Sequence, residues 1–356
     1  MNLYDCDLYK EDIRYVAELP LPWEKLQNKS IVLSGTTGLI GSFFVDVILE
    51  KNTSSNLNCV VYALGRNRDK VEKRFGEKYN DSHFHFIQYD VNKAFNENSL
   101  GKVEYVLHLA SNTHPMQYAT DPIGTITTNI VGLQNMLDLA VSHSASRFIF
   151  ASSNEIYGEN RRDVELFDED YCGYINSNTL RAGYPESKRC GEALCQAYMA
   201  QKGLDVVIPR FTRSYGPTML MTDTKAVSQF IINGILGKDI ILKSEGTQYY
   251  SYQYMADSVS GMLYIMLCGD SGEAYNIAEE HSDILLRDLA SIISSINEKN
   301  VVFEVPNDVE ASGYSKATKA RLNGKKLMNL GWKPKYDIQN GISRTINILK
   351  QVNTGI

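Results

Sequence analysis

The sequence predicts an α/β protein whose first part is a doubly wound parallel sheet, and three observations predict it. Short β-branched or apolar runs alternate with longer segments of helical periodicity. The first run ends in a glycine-rich turn, Gly35-Thr-Thr-Gly38-Leu-Ile-Gly41, that leads straight into a helical stretch. The 356 residues suffice for one large α/β domain with an elaborated C-terminal part, and 43% hydrophobic with 22% charged residues is an ordinary globular composition.

In chain order, Ile31-Val-Leu33 reads as the first strand, and Leu39 to Leu49 as the helix after the glycine turn, with Phe43, Phe44, Val47 and Ile48 supplying its apolar positions. Cys59 to Leu64, Phe84 to Tyr89, Val103 to Leu109, Phe148 to Ala151 and Val206 to Ile208 read as further buried strands. Helical patterns over Thr125 to Val141 and Ser187 to Gln201 separate some of them, which is the rhythm of a parallel sheet with helices on both faces. Beyond Arg210 the rhythm loosens. Helices are expected over Lys225 to Leu236, Ser258 to Leu267 and Ile284 to Ile296, with a short strand at Ile240 to Lys243. Two last helices, Leu322 to Trp332 and Ile338 to Leu349, flank a Gly-Trp-Lys-Pro stop.

Composition excludes several classes of function. A formal charge of −6 without a Lys/Arg-rich block argues against a nucleic-acid partner. No apolar run is long enough to span a membrane, and Met1 to Leu19 is too charged for an export signal, so the expected compartment is the cytoplasm. The six cysteines lack metal-ligand spacing and read as reduced thiols. His83 and His85 share one face of a strand but have no Cys or carboxylate partner at ligand spacing, so no metal is expected.

The glycine turn carries chemistry as well as shape. Glycines between a strand and a helix let backbone N–H groups approach a pyrophosphate at the helix N-terminus, so Gly35, Thr37, Gly38, Leu39, Ile40 and Gly41 are expected to hold a dinucleotide in a Rossmann-like domain. Three regions follow: an extension over 1–29 that packs Trp23 on the body, a dinucleotide-binding domain over 30–210, and a mainly substrate-binding α/β part over 211–356 with an interleaved boundary.

Two further clusters complete a constellation. Tyr184-Pro-Glu-Ser-Lys188 places a phenol and an ammonium one helical turn apart, where Lys188 is expected to lower the pKa of Tyr184 and make it a base. Ser152-Ser-Asn-Glu-Ile-Tyr-Gly158 follows the fifth strand, at the carboxyl end where ligands bind in open parallel sheets. There Ser153 can bond a substrate hydroxyl and Glu155 can take a proton, with Asn154 between them.

In this order and spacing the three motifs resemble the extended short-chain dehydrogenase/reductases, the NAD-dependent epimerase/dehydratase family of nucleotide-sugar enzymes, from about Lys29 to Lys335. His108-Leu-Ala-Ser111, Asn129-Ile-Val-Gly132, Arg210 to Pro217 and Leu330-Gly-Trp-Lys-Pro334 are similar to other family segments. Gly173-Tyr-Ile-Asn176 through Tyr184 is nearest to UDP-glucuronate decarboxylases, and Ser153-Asn-Glu155 is similar to a group shared by decarboxylases and 4,6-dehydratases.

The resemblance implies oxidation at sugar C4, with Tyr184 taking the hydroxyl proton, Ser153 orienting the oxygen and Lys188 holding the cofactor ribose. C5 chemistry then follows with Glu155 as base. It also implies cofactor contacts from Leu109, Ala110 and Ser111, adenine contacts from Asp90 and Val91, and substrate contacts from Ser153, Asn176, Arg213 and Tyr250. The chain departs from the family in three places. The dehydratase acid position is Asn154, and an amide is no carboxylic acid. The pyrophosphate-binding Arg is replaced by Tyr250, and the usual substrate Asn by Arg213, which is expected to restore the lost charge.

The cofactor is NAD or NADP. Gly65-Arg66-Asn-Arg68 after the second strand, with two cations and no carboxylate, leans to NADP. A 4-epimerase, which needs only Ser153 and Tyr184, is the alternative reaction, and a cofactor-sensing protein without turnover the alternative class. The helices near Thr125 to Val141 and Ser187 to Gln201 match those that pair relatives into a homodimer.

Overall fold

A computed structural model describes residues 2–95, 100–315 and 317–353. Strands Ser30–Ser34 (β1), Val60–Gly65 (β2), Phe84–Gln88 (β3), Tyr105–His108 (β4), Arg147–Phe150 (β5), Ser152–Ser153 (β6) and Val206–Phe211 (β7) join Ala274–Ile277 in one sheet. The order is Ala274–Ile277, β7, β5, β4, β1, β2, β3, with β6 also on β7, and every pairing is parallel. β1 is buried along its whole length, which is why Ser-Ile-Val-Leu-Ser reads as a continuous run instead of an alternation. The helix Leu39–Ser55 is buried from Gly41 to Leu49, since other helices cover its outer side. The chain runs to β2 on one side of β1 and to β4 on the other, so a crevice opens at the carboxyl ends of β1 and β4.

The C-terminal part adds a second, smaller sheet. Tyr249–Tyr254 pairs with Arg213–Tyr215, Asp283–Leu285 and Lys319–Ala320. Three elements differ from expectation. Tyr249–Tyr254 was not anticipated as a strand, because buried Ser251 and Gln253 interrupt its apolar character. Ile284 lies in a strand opposite Tyr250, and the helix begins at Leu286. Between Leu322 and Trp332 only Lys325–Met328 is α-helical. There the Leu322 N–H donates to the Ser251 hydroxyl and the Asn323 N–H to the Phe167 carbonyl, so the backbone is bonded across the molecule before a helix can start.

The segment before β1 contains the helix Asp7–Ala17 and is bound at two buried carboxylates. Asp46, in the helix after the glycine turn, accepts from Tyr4 Oη at 2.6 Å, Tyr9 Oη at 2.5 Å and Arg74 Nη2 at 2.6 Å. Asp12 accepts from Tyr254 Oη, Tyr336 Oη and Arg344 Nε at 2.6, 2.8 and 2.7 Å. Trp23 is buried and donates to the Leu19 carbonyl.

Two outcomes are expected. Asp12→Ala leaves Arg344 and two tyrosines without their buried acceptor and should cost about 3 to 5 kcal/mol in urea unfolding. Asp257 accepts from Tyr15 Oη and the backbone N–H groups of Lys335 and Tyr336, and burial pushes its pKa up to about 7. Its folded pKa exceeds the unfolded value near 4, so its contribution is complete below about pH 4 and is lost as pH rises through about 7. Asp257→Asn should therefore flatten the fall of unfolding free energy with pH across that window.

Candidate active site

One cavity of about 850 Å³ runs from the glycine turn to the ends of β4, β6 and β7. Gly35, Thr37, Gly38, Leu39, Ile40 and Gly41 line one end, with Arg66, Asp90, Val91, Leu109, Ala110 and Ser111. Gly35 has φ +78°, and a Cβ there would lie 2.7 Å from the Leu109 carbonyl carbon. A Cβ at Gly41 would lie 2.4 Å from the Gly35 oxygen. The turn is thus pressed between β4 and the first turn of the helix Leu39–Ser55, with that helix's N-terminus at the cavity. Bare backbone at the start of a 17-residue helix suits a pyrophosphate, so these residues fit a dinucleotide.

Beyond β2, Arg66 and Lys70 line the cavity. Arg68 does not; it donates to Tyr79 Oη and lies over the Phe86 ring. The second cation at this end is therefore Lys70, the third residue of Arg68–Phe75, and sequence spacing alone did not reveal it. Asp90 lines the cavity while its Oδ1 accepts from the Asn92 N–H.

At the other end Ser153, Asn154, Glu155, Tyr184, Lys188, Arg213 and Tyr250 share the same cavity. The helix Gly183–Lys202 supplies Tyr184 and Lys188, and a chain of hydrogen bonds fixes its start. Ser111 Oγ donates to Asn129 Oδ1 at 2.7 Å, Asn129 Nδ2 to Ser187 Oγ at 2.9 Å, and Ser187 Oγ to the Tyr184 carbonyl at 2.8 Å.

Lys188 does not act on Tyr184 as expected. Its ammonium donates to the Ala151 carbonyl at 2.8 Å and lies 6.0 Å from the Tyr184 ring centroid. Burial pushes the Tyr184 phenol well above its ordinary value, and the Glu155 charge adds to the rise; the Ser153 hydroxyl, Arg181 and Tyr118 oppose it. Desolvation of the ring outweighs these partners. Burial also lowers Lys188 to about 8.

Sequence reasoning missed Arg181 and Tyr118. Arg181 Nη2 donates to both oxygens of Glu155 at 2.7 Å, and its guanidinium lies 4.8 Å from the Tyr118 ring centroid. Tyr118 stacks on Tyr184 with centroids 4.8 Å apart. Arg181 stands three residues before Tyr184, so its position in the quoted segment was the available signal. Arg213 lies over Tyr250 with Cζ 3.4 Å from the ring centroid, and its buried Nη1 has no hydrogen-bond partner. The Tyr250 hydroxyl is donated to the Ala317 carbonyl, so it offers the cavity a ring and not a donor. Asn176 is not brought to this group. It is exposed, lies outside the cavity lining, and its side chain accepts from the Asn178 N–H, holding a local turn.

Fold and constellation together define an extended short-chain dehydrogenase/reductase. The chain belongs to the NAD dependent epimerase/dehydratase family, which matches residues 31–278. It is 31% identical over 331 residues to UDP-glucuronic acid decarboxylase 1 of Xenopus tropicalis, covering 91% of this chain and 73% of that protein. It is also 31% identical to UDP-glucuronic acid decarboxylase 5 of Arabidopsis thaliana, over 88% of this chain and 87% of that one. The fold matches DesIV, a dTDP-glucose 4,6-dehydratase of Streptomyces venezuelae, with a TM-score of 0.77, 23% identity and coverage of 92% and 98%. A UDP-glucuronic acid 4-epimerase of Bacillus cereus also gives 0.77, at 21% identity and 91% and 99% coverage.

Gly35→Ala should weaken NAD or NADP binding at least tenfold in a fluorescence titration, because a methyl group at positive φ meets the β4 backbone. An unchanged Kd would show that the turn does not hold the cofactor.

Proposed function

We propose that this protein oxidises C4 of a nucleotide-activated sugar and then carries out decarboxylase- or dehydratase-type chemistry at C5. One observation carries the reading: Ser153, Glu155, Tyr184 and Lys188 open on the same cavity as the glycine turn. A nicotinamide dinucleotide bound at that turn supplies hydride acceptance and return. Tyr184 Oη takes the C4 hydroxyl proton, the Ser153 hydroxyl holds the same oxygen, and the Lys188 ammonium holds the cofactor ribose. A ketone at C4 acidifies the C–H bond at C5. Arg181 bonds both oxygens of Glu155 and aims that carboxylate, the base for the C5 proton. Simple inversion at C4 has no task for a Glu155–Arg181 pair, which favours this reading over a 4-epimerase.

Arg213 holds the substrate diphosphate. Its stacking on Tyr250 returns a cation to the place where the family's arginine is missing, and its free Nη1 is a donor for a phosphate oxygen. Arg66 and Lys70 at the ribose end favour NADP over NAD. The part before about residue 210 holds the cofactor and also gives Ser153, Glu155 and Tyr184 to the substrate, the part after it supplies Arg213, and Ala274–Ile277 returns to the large sheet. We assign the working form to a homodimer in the cytoplasm. Ile123, 79% exposed, with Ile126 and Val131, leaves an apolar face on the helix Pro122–Ser142, which packs beside Gly183–Lys202. Among the described residues no helix is long and apolar enough to cross a membrane.

Purified protein mixed with UDP-glucuronic acid, dTDP-glucose or UDP-glucose should show a reduced-nicotinamide absorbance and a product lighter by carbon dioxide or water. A product of unchanged mass would mean epimerisation, and neither signal with any sugar would overturn the reading. Tyr184→Phe should lower kcat by about 10²–10⁴-fold. Arg213→Ala should raise KM on the order of tenfold or more with little change in kcat; an unchanged KM defeats its assignment.

A further inference from the structure

We infer that His114, braced by Asp223, is the proton donor of the second step, the role that Asn154 cannot fill. This rests on the C4-oxidation reading above. Either form of C5 chemistry needs a donor. In dehydration Glu155 takes the C5 proton, the C5–H electron pair forms the C5–C6 double bond, and the C6–O bond breaks. The departing hydroxyl needs a proton to leave as water. In decarboxylation the C5–C6 bond breaks, carbon dioxide leaves, and its electron pair passes into an enolate that needs a proton at C5. An amide at position 154 supplies neither. Glu155 accepts from Arg181 on both oxygens and is assigned above as the base, so it is not the donor.

His114 stands four residues before Tyr118. It precedes the helix Pro115–Thr120, whose Tyr118 N–H donates back to the His114 carbonyl. The Tyr118 ring is stacked on Tyr184 and faces the Arg181 guanidinium, so the helix that begins at His114 forms one wall of the reacting corner. Both His114 and Asp223 line the cavity. His114 Nδ1 is 2.9 Å from Asp223 Oδ1. The buried Asp223 also accepts the Lys225 N–H at 2.9 Å and Lys225 Nζ at 3.0 Å, and although burial raises it, these partners hold its carboxyl well below the usual carboxylate range. A carboxylate cannot donate, so the shared proton sits on Nδ1. Among the described residues Nε2 has no hydrogen-bond partner.

A histidine with one nitrogen fixed by a carboxylate and the other open to a cavity is built to carry a proton on the open nitrogen. Protonated Nε2–H gives its proton to the departing hydroxyl or to C5, the N–H bond breaks, and neutral imidazole remains bonded to Asp223. In dehydration the hydride taken at C4 returns to C6 while Glu155 gives its proton back to C5, and the proton that Tyr184 took from the C4 hydroxyl passes to solvent, from which the imidazole is reprotonated; in decarboxylation solvent reprotonates the imidazole directly. Asp223 is a positioning residue in this scheme, because it acts through His114.

The alternative is that the pair only pins the segment around Asp223 to the helix Pro115–Thr120. His114→Gln separates the two, since glutamine can still donate to Asp223 but is no acid. The variant, the wild type and Asp223→Asn are mixed with UDP-glucuronic acid and with dTDP-glucose, and the C4 ketone is trapped by borodeuteride and weighed by mass spectrometry. Calorimetry measures sugar-nucleotide binding separately. His114→Gln should bind with a Kd within about threefold of wild type and form the ketone, yet release product on the order of a hundredfold more slowly. Asp223→Asn should slow the same step by a smaller factor. Product release by His114→Gln at the wild-type rate overturns the inference. If that variant forms no ketone, His114→Ala decides: imidazole in the buffer restoring product supports the assignment, and no restoration overturns it. A wild type that forms no ketone with either sugar defeats the C4-oxidation reading instead, before any variant is compared.

Discussion

The backbone of Gly35 lies against Leu109 and Ala110 with no space for a side chain, and the rest of the cavity is arranged around that contact. It brings the end of β1 against the end of β4, so the N-terminus of the helix Leu39–Ser55 opens where the strand order reverses. From the same end of β4, Ser111 begins the hydrogen-bond chain through Asn129 and Ser187 that holds Tyr184. Gly191 continues the theme one helix away: a Cβ there would meet the Phe150 ring at 2.5 Å, so its absence lets the helix Gly183–Lys202 lie close on β5. Two close backbone approaches thus set the distance between the cofactor end and the reacting end.

The charges of the reacting end are spent on one another with few left over. Glu155 is taken up by Arg181, and Asp223 by His114 and Lys225. Tyr184, stacked on Tyr118, is disfavoured as a phenolate by its own burial. Among the described residues Arg213 Nη1 is buried without a hydrogen-bond partner. A low-dielectric pocket in which most charges are paired makes an unpaired polar atom count for more.

The N-terminal segment belongs to the body of the fold. Asp46 ties Tyr4 and Tyr9 to the helix that carries the glycine turn, and Asp12 ties the same segment to Tyr254, Tyr336 and Arg344 of the C-terminal part. One short segment therefore bridges the helix Leu39–Ser55 and the C-terminal part through two carboxylates buried from solvent. Burying either carboxylate without its hydroxyl and guanidinium donors would be costly, which makes the bridge specific as well as strong.

Local sequence determined the parallel sheet, the glycine turn and the spacing of Tyr184 to Lys188, because strand periodicity, turn chemistry and one helical turn are properties of neighbouring residues. Local sequence was also enough to place Ser153, Asn154 and Glu155 after β5. Tertiary structure decided the partners. Arg181 is 26 residues from Glu155 and His114 is 109 from Asp223, and no local rule couples such pairs. The same holds for Lys70 in place of Arg68, for Tyr250 as the platform under Arg213, and for Asn176 lying outside the cavity. The effect of Lys188 on Tyr184 was misjudged for a related reason. Spacing gives which groups are near, but the pKa of a phenol is set by how much water its surroundings remove, and only the packed molecule determines that.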